Sequence, residues 1–279
     1  MEKLIIEGGT PLRGSVKVSG SKNSALPILA STILWPGIYS FHNVPDIKDV
    51  RTMLDLLKFL GSECSFKKNK VKINSIKINK YEAPYNLVKT MRASVLIWGS
   101  LLSRLNKAKI SFPGGCAIGD RPIDQHLNGF QSIGYKTIVK SGYLKSIATD
   151  TIGGDFKFKM KSVTGTENLI LASVLGTKKT TLKNCALEPE VDDLITFLKS
   201  IGANIKKVGD SITINPVGSL KKQKNSYEII PDRIEAGTFM YLGCLPKNKI
   251  TIENVDLGAL KDVIKTVIKI GAKIKKSEN

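Results

Sequence analysis

Apolar residues recur at three- and four-residue intervals in four stretches of the chain, and each stretch closes on a glycine followed by an alternating run. The stretches are Leu54–Leu60 before Gly61, Leu127–Ile133 before Gly134, Leu194–Ile201 before Gly202, and Val263–Ile270 before Gly271. That spacing predicts amphipathic helices, and the glycine supplies the left-handed residue that ends a helix. The four glycines stand 73, 68 and 69 residues apart, so the pattern is a repeat. An earlier helix is predicted before each, over Ser24–Ser31, Arg92–Leu102, Glu167–Leu175 and Glu235–Leu245. A short strand follows each earlier helix, at Ile38–Phe41, Lys109–Phe112, Thr180–Lys183 and Lys249–Ile252. Two alternating strands come after the glycine, as in Ala203–Lys207 and Ser211–Asn215. The unit is therefore helix, strand, helix, strand, strand, and its recurrence predicts an α/β (α+β) architecture built by duplication. The fourth copy begins its first closing strand at Ala272–Lys276, and the sequence stops at Asn279 before the second. An unpaired edge is expected there, as in a truncated form of a longer protein.

Composition narrows the function classes. At 279 residues and 42% hydrophobic, the chain can bury a core without disulfides or metals, which excludes a disordered or fibrous protein. No apolar run approaches the roughly 20 residues of a membrane span, and Met1–Leu4 leads directly into a strand-like stretch with no signal peptide. A cytoplasmic protein is expected. The net charge of +19 comes from 43 basic residues, of which six are arginines and 37 are scattered lysines. Base-edge recognition favours the arginine fork, so this charge reads as solvated surface and no nucleic-acid partner is expected. Cys64, Cys116, Cys185 and Cys244 form no C-x-x-C pair, and the histidines are His42 and His126 alone. Neither a disulfide framework nor a metal site follows. Phosphate-loop, dinucleotide and nucleophile-elbow motifs are absent.

Three segments carry candidate chemistry. Pro113-Gly-Gly-Cys116-Ala-Ile-Gly-Asp-Arg121-Pro122 is an irregular, exposed loop by its glycines and prolines. It holds a cysteine near an arginine that favours its thiolate. Pro122 suits a first helical position and Asp124 the first turn beyond it. Ser19-Gly-Ser-Lys22-Asn23-Ser-Ala joins a strand to a helix start, where free N–H groups and a lysine can meet an anion. Ser162-Val163-Thr-Gly-Thr166 offers a second such helix start, and Lys89-Thr-Met-Arg92 opens another helix.

Together these segments, with Ala83-Pro-Tyr-Asn-Leu-Val-Lys-Thr-Met-Arg-Ala-Ser, Glu188-Pro-Glu and Pro231-Asp-Arg-Ile-Glu-Ala-Gly-Thr-Phe, resemble the UDP-N-acetylglucosamine enolpyruvyl transferase family. The resemblance runs in order through the whole chain. It fits the related 3-phosphoshikimate enzymes less well, because their aspartate-lysine-serine and histidine-arginine pattern near the N-terminus is missing. It implies a two-lobed, inside-out α/β barrel of three repeats per lobe, with the active site in the cleft between lobes. Residues 22–229 would form a complete three-repeat lobe, and residues 1–21 with 230–279 a partial second lobe of one truncated repeat.

The implied reaction transfers the enolpyruvyl group of phosphoenolpyruvate to the 3-hydroxyl of the nucleotide sugar, the first committed step of peptidoglycan synthesis. By the same resemblance Cys116 is the proton donor and a site of covalent adduct formation. Lys22 and Arg121 hold the phosphate and carboxylate of phosphoenolpyruvate, with Asn23 beside them. Arg92 and the run Arg121-Pro122-Ile123-Asp124-Gln125 contact the nucleotide sugar, and Lys161-Ser162-Val163 receive its diphosphate; His126 and Glu188 are further candidates. No cofactor is implied, and the full-length family member is expected as a monomer. Family members carry a general-base aspartate and a further arginine in their last third, beyond Asn279, so the chain alone is expected to turn over little. Gln125 and Thr164 stand where the family more often has an apolar residue and glycine. Two other classes remain open: a non-catalytic UDP-sugar-binding remnant or paralogue, and a basic nucleic-acid binder. The last predicts a steep salt dependence and lacks the interleaved aromatics that stack bases.

Overall fold

The structure is a computed structural model that describes residues 3–88, 91–112 and 123–277, and the Arg92 side chain lies outside the description. Contacts divide the chain into two units, residues 21–230 and residues 1–20 with 231–279.

In chain order the elements are β1 (Arg13–Lys17), α1 (Lys22–Ser31), β2 (Ile38–His42), α2 (Lys48–Leu60), β3 (Glu63–Lys67) and β4 (Lys70–Asn74). Next come β5 (Glu82–Ala83), α3 (Tyr85–Val88), a 3₁₀ turn (Arg92–Val95), α4 (Leu96–Leu105), β6 (Lys107–Ser111), α5 (Asp124–Ser132), β7 (Tyr135–Lys140) and β8 (Tyr143–Ala148). A third set follows with β9 (Asp155–Lys157), α6 (Val163–Ser173), β10 (Thr180–Lys183), α7 (Pro189–Ser200), β11 (Asn204–Val208) and β12 (Ser211–Asn215). The chain then runs through β13 (Tyr227–Glu228), α8 (Arg233–Gly243), β14 (Lys249–Glu253) and α9 (Lys261–Lys269).

The predicted repeat is present. Gly61, Gly134, Gly202 and Gly271 all hold φ between 96° and 115°, the left-handed backbone that lets α2, α5, α7 and α9 stop and turn into the next segment. Each sheet of the larger unit has one plan, in the orders β13-β2-β4-β3, β5-β6-β8-β7 and β9-β10-β12-β11. The first pair is parallel and the other two are antiparallel. The short lead strands β5, β9 and β13 were not expected from the sequence.

In the larger unit, each repeat's first helix is enclosed along most of its length. Ser24–Ser31 of α1, Leu96–Ser103 of α4 and Gly165–Ser173 of α6 are buried without interruption. α1 packs on α4, and α4 packs on α6. The amphipathic α2, α5 and α7 turn one face inward. The interior is thus helical, with the sheets outside.

The smaller unit has a single parallel pair, β1 with β14, in register from Arg13 opposite Lys249 to Lys17 opposite Glu253. Its core is small: Val18, Ala236 and Leu260, with Met240, Ile252, Val255, Val263 and Ile264 packed around them. The expected strand at Ala272–Lys276 does not form. In the complete repeats the strand at this place is an edge whose neighbour is the strand after it. Residues 272–277 have no such neighbour among the described residues.

The helix bounds differ in one further respect. Arg92–Val95 is a 3₁₀ turn, and the α-helix starts at Leu96. Among the described residues, no helix is long and apolar enough to cross a membrane.

Candidate active site

The site residues named from the sequence fall into three groups. Cys116, Arg121 and Pro122 lie outside the described residues, as do Lys89 and Thr90. Arg92 opens the 3₁₀ turn that leads into α4.

Lys22 and Asn23 are the first two residues of α1, bracketed by Ser21 and Ser24. Ser21 is the N-cap, with an extended backbone (φ −65°, ψ 120°), and its Oγ accepts the Ser24 N–H at 3.3 Å. Helices open this way because the first N–H groups have no intrahelical acceptor. Asn23 is exposed, and the Lys22 ammonium, on a half-exposed side chain, pairs with Asp49 of α2 at 3.2 Å. Asp49 has no mark in the sequence that ties it to Lys22, 27 positions earlier, because the pairing depends on how α1 and α2 pack.

The third group is brought together by the fold. Ile123 and Gln125 are buried and Asp124 is exposed, at the start of α5. Gln125 Nε2 donates to Asp124 Oδ2 at 3.1 Å, while Gln125 Oε1 accepts the Lys159 N–H at 3.1 Å. The latter bond ties the Ile123–Gln125 run to the segment that leads into Lys161, Ser162 and Val163. Ser162 caps α6, its Oγ accepting the Gly165 N–H at 3.1 Å, and Val163 is the first helical residue. A helix N-terminus beside an exposed lysine has the local electrostatics of a phosphate seat.

Around these starts lies a buried acidic group. Glu167 on α6 is 1% exposed, and its Oε1 accepts no hydrogen bond among the described residues. Burial pushes its carboxyl well above the ordinary range, and the nearby Glu190 and Glu188 add to the rise. Glu188 sits at the N-cap position of α7, ahead of Pro189 at the first helical position, and Glu190 is buried. His126 is buried on α5. The sequence marked Glu188 and His126, but it gave no reason to single out Glu167, whose position in an apolar helix becomes unusual only once the helix is seen to be enclosed.

Two of the described cysteines, Cys64 and Cys185, sit where burial disfavours the thiolate. Burial pushes the Cys64 thiol up to about 11 and the Cys185 thiol up to about 12, so both stay protonated near neutrality.

A family model described as EPSP synthase (3-phosphoshikimate 1-carboxyvinyltransferase) matches residues 6–279. The chain belongs to this family of enolpyruvyl (carboxyvinyl) transferases. Within it, UDP-N-acetylglucosamine 1-carboxyvinyltransferase of Thermodesulfovibrio yellowstonii is 44% identical over 280 residues, covering 100% of this chain and 67% of the relative. The enzyme of that name from Desulfosudis oleivorans is 44% identical over 275 residues, covering 98% and 66%, and that from Desulfovibrio desulfuricans is 46% identical, covering 98% and 65%. The chain spans about two thirds of the length of these relatives.

Among solved structures, the enolpyruvyl transferase NikO of Streptomyces tendae superposes with a TM-score of 0.84 at 21% identity, over 98% of this chain and 65% of that one. EPSP synthase of Acinetobacter baumannii gives 0.73 at 17% identity, over 96% and 61%. At those identities the likeness is one of fold, and it agrees with the repeated α/β architecture.

Proposed function

We propose that the protein to which these residues belong transfers the enolpyruvyl group of phosphoenolpyruvate to the 3-hydroxyl of UDP-N-acetylglucosamine. The observation that carries this reading is the match to enzymes of that name at 44% identity over the whole chain. The site geometry supports it with a lysine at the start of α1 and with a cap at the start of α6 tied to the Ile123–Gln125 run.

In the addition step, the methylene carbon of phosphoenolpyruvate takes a proton from Cys116 while the sugar hydroxyl oxygen bonds to C2. The hydroxyl proton passes to a base outside these 279 residues. The tetrahedral ketal then returns a methyl proton to the Cys116 sulfur, the C2–O(phosphate) bond breaks, and the double bond re-forms with release of phosphate. Lys22 and Arg121 hold the phosphate and carboxylate, because cations fixed in advance offset the charge that develops. Asn23 lies beside them, Arg92 and Ile123–Gln125 receive the nucleotide sugar, and Lys161, Ser162 and Val163 receive its diphosphate. Residues 22–229 then form a complete lobe, and residues 1–21 with 230–279 part of a second. The 279 residues alone turn over little, and phosphate release at the rate of a full-length enzyme would refute that point.

The test is alkylation by fosfomycin, an epoxide mimic of phosphoenolpyruvate, read by peptide mass spectrometry. Modification is expected at Cys116. Modification confined to Cys64, Cys185 or Cys244 overturns the assignment. Calorimetry with the nucleotide sugar, alone and with phosphoenolpyruvate, separates the reading from a purely sugar-binding remnant, which binds the first and ignores the second.

A further inference from the structure

Asp193 lies on α7, 6% exposed, and three donors from separate parts of the larger unit converge on its carboxylate. The Ser24 hydroxyl on the first turn of α1 donates to Oδ2, as does the Ile230 N–H at 3.4 Å. The Tyr227 hydroxyl on β13 donates to Oδ1 at 2.5 Å. Three converging donors call for a group that only accepts, and an ionised carboxylate has about four lone-pair sites for them. Burial works against that ionisation and Glu190 adds to the cost, while the three hydrogen bonds favour it.

These bonds close a ring. Ser24 N–H donates to Ser21 Oγ at 3.3 Å, Ser21 N–H donates to Ile230 O at 2.7 Å, and Ile230 N–H returns to Asp193. Lys22 and Asn23 are the two residues inside that ring, between Ser21 and Ser24. Ser21 and Ile230 are also the last residues of the larger unit before the chain passes to the smaller one. Two stretches about 210 positions apart in sequence are thus fixed to each other and to α7 through one side chain.

We infer that Asp193 is a positioning residue, which sets the direction of the α1 turn carrying Lys22 and Asn23 and so the place where the anionic groups of phosphoenolpyruvate are held. The ligand part of this inference rests on the function proposed above, whereas the ring itself does not.

The experiment compares the whole 279-residue chain with Asp193→Ala and Ser24→Ala. Ser24→Ala removes only the α1 donor and replaces serine with a better helix former, so any loosening of the turn cannot be charged to helix propensity. Amide hydrogen exchange is read at Ser21–Ser24, at Tyr227–Ile230 and within α4 as reference. Calorimetry gives the affinities for UDP-N-acetylglucosamine and, at saturating nucleotide sugar, for phosphoenolpyruvate.

Exchange at Lys22–Ser24 is expected to accelerate about tenfold or more in both variants, with α4 unchanged, as local opening does when one buried hydrogen bond is lost. Phosphoenolpyruvate affinity is expected to fall about tenfold, with nucleotide-sugar affinity held within about twofold, a split that general destabilisation does not give. Unchanged exchange at Lys22–Ser24, acceleration spread evenly over α4, or equal loss for both ligands overturns the inference. If Asp193→Ala does not fold, Ser24→Ala decides alone. If the unaltered chain binds neither ligand, the ligand part of the inference fails for this chain while the proposed function is decided by the Cys116 alkylation, and the exchange measurement still decides the role of Asp193.

Discussion

Two enclosed helices, α4 and α6, meet at Gly99 and Asn168, and adding one methyl group there tests the packing directly. A Cβ on Gly99 would lie 2.3 Å from the Asn168 carbonyl oxygen and 2.9 Å from its Oδ1. The first contact is with backbone and cannot be relieved by a rotamer change, so the helices must separate by about 1 Å to reach ordinary contact. The same asparagine completes the start of α4. Its Oδ1 accepts the Gly99 N–H at 2.9 Å and its Nδ2 donates to the Val95 carbonyl at 3.0 Å, where the N-cap Val95 has no side-chain acceptor to offer. Gly99→Ala gains about 1 kcal/mol of helix propensity. Against this stand about 1–3 kcal/mol of overpacking and about 1–3 kcal/mol for buried groups pulled off their partners. The net expectation is a loss of about 2–4 kcal/mol, or about 5–15 °C in melting temperature for a chain of this size. Thermal unfolding by circular dichroism with a parallel urea titration measures it. Asn168→Ala should cost about 2 kcal/mol, and the double variant less than the sum, because both substitutions disturb the same two bonds. A Gly99→Ala chain that melts at or above the parent refutes the close approach of the helices.

Two further outcomes follow from buried charge. Glu167 binds its proton more tightly folded than unfolded, so its contribution to stability is complete below the ordinary carboxylate value and is lost as pH rises through the folded value. Glu167→Gln removes that loss, and its melting temperature relative to the parent should rise from pH 5 to pH 8; a constant difference defeats the reading. The Arg104 guanidinium is bonded to four carbonyls, Ile33 and Ser75 at 3.0 Å, Ile76 at 3.3 Å and Ile78 at 3.4 Å, joining the first repeat to the second. Arg104→Met should cost about 2–4 kcal/mol in urea unfolding, and Arg104→Lys should recover little because an ammonium cannot span the fork. Recovery of parental stability by lysine would count against that account.

What the sequence made legible was local. Glycine exits and amphipathic second helices follow from periods of three to four residues, so the repeat and the α/β class could be read directly. The lead strands could not. β5 and β13 are two residues long, and each gains its identity from a partner elsewhere, as Tyr227 and Glu228 do from Phe41 and His42. Likewise Lys22 and Ser162 stood out beside turn residues, whereas Asp49, Glu167 and Asp193 are ordinary acidic residues until packing gives them neighbours. The Ala272–Lys276 strand illustrates the limit from the other side: its alternation is correct, and alternation alone does not make a strand without an adjacent one to bond.

The exposed helix α8 gives that limit a quantity. α8 takes the place in its repeat that α1, α4 and α6 take in theirs, and those three are buried over eight or nine consecutive residues. In α8 only Ala236 and Gly237 are buried, while Ile234 and Tyr241 on the helix and Leu245 just beyond it stay about half exposed. The larger unit encloses its first helices by bringing three repeats together, and we propose that a fourth repeat of the same design is enclosed by two more like itself. The alignment with the Thermodesulfovibrio yellowstonii enzyme covers 280 residues and 67% of its length, which leaves about 140, or two repeats at the observed spacing of 68 to 73. Adding a polypeptide that comprises the part of that relative outside the alignment should therefore protect Ile234, Tyr241 and Leu245 from exchange and leave α1, α4 and α6 as they are. If α8 exchanges at the same rate with and without it, its apolar face is not a repeat-packing surface.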